Sequence, residues 1–141
     1  MKLTRTTKRA SGMTLLELTV VILVLLSLIS ILFVGARAWK KGSDRSANIM
    51  NVRNVQQAVR GHQNMNGLLA GALIDPTTTL FGDTGYLKEP KPPIASVAAY
   101  TFGTAIPDVG VLFTTNATLG GADGEYFFTA AEITDGKISD W

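Results

Sequence analysis

The chain has no cysteine and a single histidine, His62. The missing thiols exclude disulfides, a cysteine nucleophile, thiolate metal sites and a lipid-modified lipoprotein cysteine. One histidine cannot build a multi-histidine zinc site, and its place near the end of a helical pattern reads as a half-buried helix residue. No proline occurs before Pro76, so nothing of that kind interrupts or kinks the first half of the chain. Charge is scarce where it would matter most. Between Met13 and Ala36 the one charged residue is Glu17. A nucleophile paired with a base, or two carboxylates set for acid–base work, is not found either, so the residues point away from an enzyme.

What is present is a long apolar run. Leu18, Val20, Val21, Ile22, Leu25, Leu28, Ile29, Ile31 and Leu32 cover every side of a helix. The run is long enough to cross about 30 Å of hydrocarbon. A core helix of a soluble domain would show a polar face, so this pattern suits lipid or the interior of a packed assembly. Before it stand Lys2, Arg5, Lys8 and Arg9, which place the N-terminus on the cytoplasmic side. Past Gly12, nine Lys and Arg face eleven acids, so that portion is net acidic by two. Arg37, Lys40, Lys41 and Arg45 follow the run and read as a solvated or headgroup-facing collar rather than a nucleic-acid site.

Glu17 is the anomaly, since a carboxylate within a span costs about 2.5–3.5 kcal/mol at the centre and less towards the surface. One reading makes it a surface carboxyl favoured by the helix dipole. The other depends on its surroundings, KRASGMTLLE. A basic leader, Gly12, Met13, then Thr14, Leu15, Leu16 and Glu17 in an unbroken apolar run resemble the type IV pilin and type II secretion pseudopilin superfamily. The likeness is specific over 8–33 and departs from many members in having Met13 where Phe is commoner. It implies cleavage between Gly12 and Met13 by a prepilin peptidase, guided by leader charges Lys8 and Arg9, with methylation of the Met13 amine. It also implies that Glu17 meets the amine of a neighbouring subunit during assembly. An ordinary secretory signal has a shorter apolar run; a plain uncleaved anchor has the same topology and differs only in processing.

Beyond the anchor, Ala47, Ile49, Val52, Val55, Val59 and His62 recur at three- and four-residue steps, an amphipathic continuation loosened at Gly42 and Ser43 and ending around Gly61 and Gly67. Residues 68–93 read as a surface loop stiffened by Pro90, Pro92 and Pro93. The runs 100–103, 109–115 and 126–130 read as three strands of an antiparallel meander. The expected fold is therefore α+β: a long N-terminal helix packed on a small antiparallel sheet, as in pilins. Its parts are a leader, 1–12, a membrane or filament-core helix, 13–36, an amphipathic continuation, 37–66, and an exported domain, 67–141. Asn116-Ala117-Thr118 has the spacing of a glycosylation acceptor, which the bacterial or archaeal leader makes a chance match.

The stretch from Leu119 to Trp141 carries five acids among glycines and is not an EF-hand. It resembles the end of major pseudopilins, where a calcium loop replaces a disulfide; that likeness makes Asp123, Asp135 and Asp140 candidate calcium ligands, whereas the residues by themselves read as solvated turn acids. The function expected from the resemblance is a structural subunit of a type IV pilus or type II secretion pseudopilus. Its partners would be copies of itself and related pilins, the prepilin peptidase, the inner-membrane assembly platform and membrane lipid, with no nucleic acid. It would reside as a single-pass protein in the bacterial inner membrane and then in a periplasmic or extracellular filament. Alternatives are a minor or priming pilin, or a monomeric membrane-anchored binding module.

Overall fold

The structure is a computed structural model that describes residue 12 and residues 14–141. Lys8, Arg9 and Met13 lie outside the described residues. The chain divides into two compact units, Met1–Ala38 and Trp39–Trp141. Helix α1, Leu15–Asn66, supplies residues to both; a π-helical turn, Pro76–Leu80, and a short helix α2, Ala130–Thr134, complete the regular elements.

Both ends of α1 are written in its sequence. Thr14 caps the start, and Gly67, at φ 62°, caps the end in the left-handed region that glycine adopts without penalty. The Leu68 N–H then bonds back to the Gln63 carbonyl at 3.0 Å, the six-to-one bond of a Schellman motif. Gly42 and Gly61, expected to loosen or end the helix, lie inside it.

In the first unit the large apolar residues of α1 are all exposed, from Leu15 at 82% to Val34 at 71%. The hydroxyls of Thr19, Ser27 and Ser30 turn back to the carbonyls of Leu16, Leu23 and Leu26, each at 2.8 Å. A back-bonded hydroxyl presents no unpaired donor, which makes it tolerable in hydrocarbon. This part of α1 is long and apolar enough to cross a membrane.

In the second unit Val52, Val55 and Val59 are fully buried, three and four residues apart, together with Asn48 and Gln56 on the same side of the helix. Val52 packs with Tyr100, Phe127 and Trp141; Val55 and Val59 pack with Leu80, Ile106 and Phe113. Each valine withdrawn from water contributes about 1.5–3 kcal/mol.

The expected antiparallel sheet is absent among the described residues. Two isolated antiparallel bridges stand in its place, Leu73 with Ala105 and Phe102 with Thr114. The runs 100–103 and 109–115 do meet, through Gly103 N–H to Phe113 O and Thr115 N–H to Thr101 O, both 2.8 Å. The ladder stops because side chains take the neighbouring backbone groups. Asn116 accepts from Thr101 N–H at 2.8 Å and donates to Ala99 O at 3.1 Å. Gln56, from α1, donates to Val111 O and accepts from Phe113 N–H, each at 2.9 Å. The third run, 126–130, is likewise diverted. Tyr126 O accepts from Asn48 and Phe127 O from Arg45, while Thr129 and Glu132 form the capping box that starts α2. At the other bridge, Pro76 and Pro107 lack the N–H groups that would lengthen the pairing. Backbone donors and acceptors that a sheet would have paired with one another are paired with side chains of α1 and of Asn116 instead, which satisfies the same requirement.

Candidate functional site at the start of the apolar helix

The residues around Glu17 build a capping box. Thr14, in non-helical backbone, accepts from the Glu17 N–H through its hydroxyl at 3.3 Å, and Glu17 Oε2 accepts from the Thr14 N–H at 2.7 Å. This is the T-x-x-E pattern ahead of an apolar run, in which two otherwise orphaned helix-end donors are satisfied reciprocally. It fixes the first helical residue at Leu15. Gly12 lies outside the helix, exposed, and among the described residues beyond its chain neighbours no atom stands within 4 Å of where a Cβ would be.

Only one of the Glu17 oxygens is occupied. Oε2 holds the Thr14 N–H, whereas Oε1 has no hydrogen-bond partner among the described residues. A carboxylate has about four acceptor positions, so the group can cap its own helix and still receive an external donor. Met13, the proposed source of an amine, lies outside the described residues.

Past the apolar stretch, three of the four collar cations are bound within the chain. Lys40 pairs with Asp44 at 3.0 Å, Lys41 with Glu125 at 2.8 Å, and Arg45 with Glu132 at 3.2 Å while also donating to Phe127 O. The Lys41 hydrogen bond, then that of the Ala122 N–H, hold the Glu125 carboxyl below its ordinary range, with the Lys41 charge a smaller contribution. Glu132 is lowered chiefly by the Thr129 N–H. The Lys41 and Arg45 pairs tie α1 to the C-terminal stretch, while Lys40–Asp44 stays within the helix.

The candidate calcium ligands are not gathered. Asp123 Oδ1 accepts the Ala130 N–H at 2.9 Å, Asp135 caps the end of α2 through its backbone, and Asp140 lines a separate cleft. Among the described residues no group of three or more His, Asp or Glu is set to hold a metal ion. His62 contacts Tyr86 and Asn66 at 3.3 and 3.1 Å in a surface cluster.

Sequence reasoning missed Thr14 as a cap, although its signal was legible. It also missed Arg45, Asn48, Gln56 and Arg60 as anchors for backbone carbonyls, whose trace in the sequence is polar residues recurring within an otherwise apolar helical face. No protein-family model, curated protein or solved structure matches the chain.

Proposed function

We propose that this chain is a structural subunit of a type IV pilus or of the related type II secretion pseudopilus. The observation that carries the reading is the junction at 12–17: an exposed glycine outside the helix, a capped helix start three residues later, and a single carboxylate in the first turn of a helix apolar on every side. A peptidase requires an accessible, non-helical bond, and Gly12 meets that requirement. An apolar helix exposed on every side among the described residues calls for lipid before assembly and like helices after it. In this reading the chain is the substrate of a prepilin peptidase, not an enzyme, and is anchored in the inner membrane with its leader in the cytoplasm.

Glu17 then has two simultaneous tasks. Oε2 keeps the helix start defined, and Oε1 receives the ammonium of a neighbouring subunit, a cation whose reference pKa is about 7.7–8.0. Buried ion pairs seldom stabilise more than apolar packing would, but leaving one partner alone costs about 3–5 kcal/mol. The pair thereby sets axial register.

Coexpression with a prepilin peptidase tests the assignment. Intact-mass spectrometry should show loss of residues 1–12 and one added methyl on Met13, and Gly12→Leu should stay uncut while still inserting. Retention of Met1, or a cut beyond the apolar run, overturns the reading.

A further inference from the structure

The second unit contains a cleft of about 280 Å³ lined by Arg53, Gln57, Arg60, Asn64, Asp140 and Trp141, with Gly61 opening its floor. Arg53, Gln57, Arg60 and Asn64 are spaced four, three and four residues apart and form one wall from one side of α1. The two arginines differ in their commitments. Arg60 spends its donors on main-chain oxygens of Pro107, Asp108 and Trp141 and on the Gln63 amide, so it is fixed in place. Arg53 lies over the Trp141 ring, 5.5 Å from its centroid, and makes no hydrogen bond or ion pair among the described residues. Gln57 and Asn64 are exposed and likewise keep their amides free. Asp140 lines the same cleft without pairing with Arg53.

We propose that this cleft binds a carboxylate group, with Arg53 as the ion-pairing residue and the amides of Gln57 and Asn64 as further donors. The guanidinium is a planar fork that matches a carboxylate bidentately, and stacking on an indole holds such a fork without using its donors. Asp140, an acid in the same lining, opposes a phosphate dianion more than a monoanionic carboxylate. The volume lies at the lower end for ligand sites, so the bound group is small. A carboxylate can come from a free organic acid or from an Asp or Glu of a second copy; the latter source rests on the filament reading, the former does not.

The test uses the full-length chain in detergent micelles with Trp39→Phe, which leaves Trp141 as the remaining indole. Acetate and succinate are titrated at constant ionic strength while Trp141 fluorescence is followed. A saturable change is expected, with its midpoint raised about tenfold or more by Arg53→Gln. Gly61→Leu, which fills the cleft and alters no charge, should abolish it. For the second source, Arg53→Lys is treated with carbodiimide in membranes, and amide crosslinks between position 53 of one copy and an acid of another are mapped by mass spectrometry. A saturable response identifies a free acid, and a crosslink without a response identifies the neighbouring copy. Neither a response nor a crosslink overturns the proposal. Removal of residues 1–12 is read in the same samples, so a silent cleft in a correctly processed chain leaves the filament reading standing, and the reverse outcome is equally visible.

Discussion

Two stretches of one helix use their polar side chains in opposite ways. In 15–36 the hydroxyls of Thr19, Ser27 and Ser30 bond back to carbonyls one turn earlier in the same helix. In 45–60 the side chains of Arg45, Asn48, Gln56 and Arg60 reach out to carbonyls 47–82 residues further along the chain. Apart from the open Glu17 Oε1, the first stretch is closed on itself and offers its surroundings hydrocarbon. The second is open, and the chain that follows hangs from it. Helical backbone is common to both; what separates the two stretches is where the side-chain donors are sent.

The sharpest way to break this contrast is Asn48→Ala. Asn48 donates to Ala117 O and Tyr126 O and accepts from the Tyr100 hydroxyl at 2.6 Å, all in buried or part-buried surroundings. Stranding three polar groups at about 1–3 kcal/mol each should remove about 3 kcal/mol or more, a large share of a small domain's stability. The urea midpoint of tertiary signals in 39–141 measures it; a loss under 1 kcal/mol would mean that the loops hold themselves. Next comes Glu17→Ala, which should leave insertion, leader removal and that midpoint unchanged but cut sheared filament yield at least severalfold relative to mature membrane-bound subunit. Wild-type yield would reduce Glu17 to a helix cap.

Acid provides a milder test of the open stretch. The carboxyls of Glu125, Glu132 and Asp75 sit below their ordinary values of 4.5, 4.5 and 3.8 in the folded chain. A depressed folded value contributes stability that is complete above the unfolded pKa and vanishes as pH falls through the folded one. Stability should therefore be level from neutrality to about pH 5 and decline below about pH 4.5, and Glu132→Gln should flatten part of that decline. A chain that loses stability already between pH 7 and 5 would contradict this origin. The smallest effect belongs to the closed stretch: Ser27→Ala with Ser30→Ala should shift neither membrane insertion nor the urea midpoint by more than about 0.5 kcal/mol.

The sequence announced the helix and hid the arrangement hung on it. Periodicity of Val52, Val55 and Val59, the uniform apolarity of 15–34 and the cap at Gly67 were all readable, because each is a local pattern with one structural solution. The T-x-x-E box was readable in principle, yet Glu17 drew attention as a charge in hydrocarbon rather than as the third residue of a cap. The strands failed for a different reason. β-branched and aromatic residues at 100–103 and 109–115 do bring extended segments together, but whether a ladder grows depends on who else competes for the backbone groups. Here Gln56 and Asn116 compete and win, and no window of sequence around Val111 or Thr101 contains Gln56. The same remoteness hides the Arg53 cleft, whose walls are separated by about eighty residues and joined only by folding.

Because the loops are registered against side chains of α1, this helix acts as a ruler graduated in turns, with consequences for how the gene can change. One residue inserted near Asn51 would rotate everything after it by about 100° relative to Arg45 and Asn48. Gln56 and Arg60 would swing away from Val111, Phe113, Pro107 and Asp108, and Val55 would leave Phe113. A residue added at the exposed tip around Asp83 and Thr84 would disturb none of these pairings. Length variation should thus be tolerated in the loops and punished between positions 45 and 60, the reverse of a sheet-built domain, where strand register would be the guarded quantity.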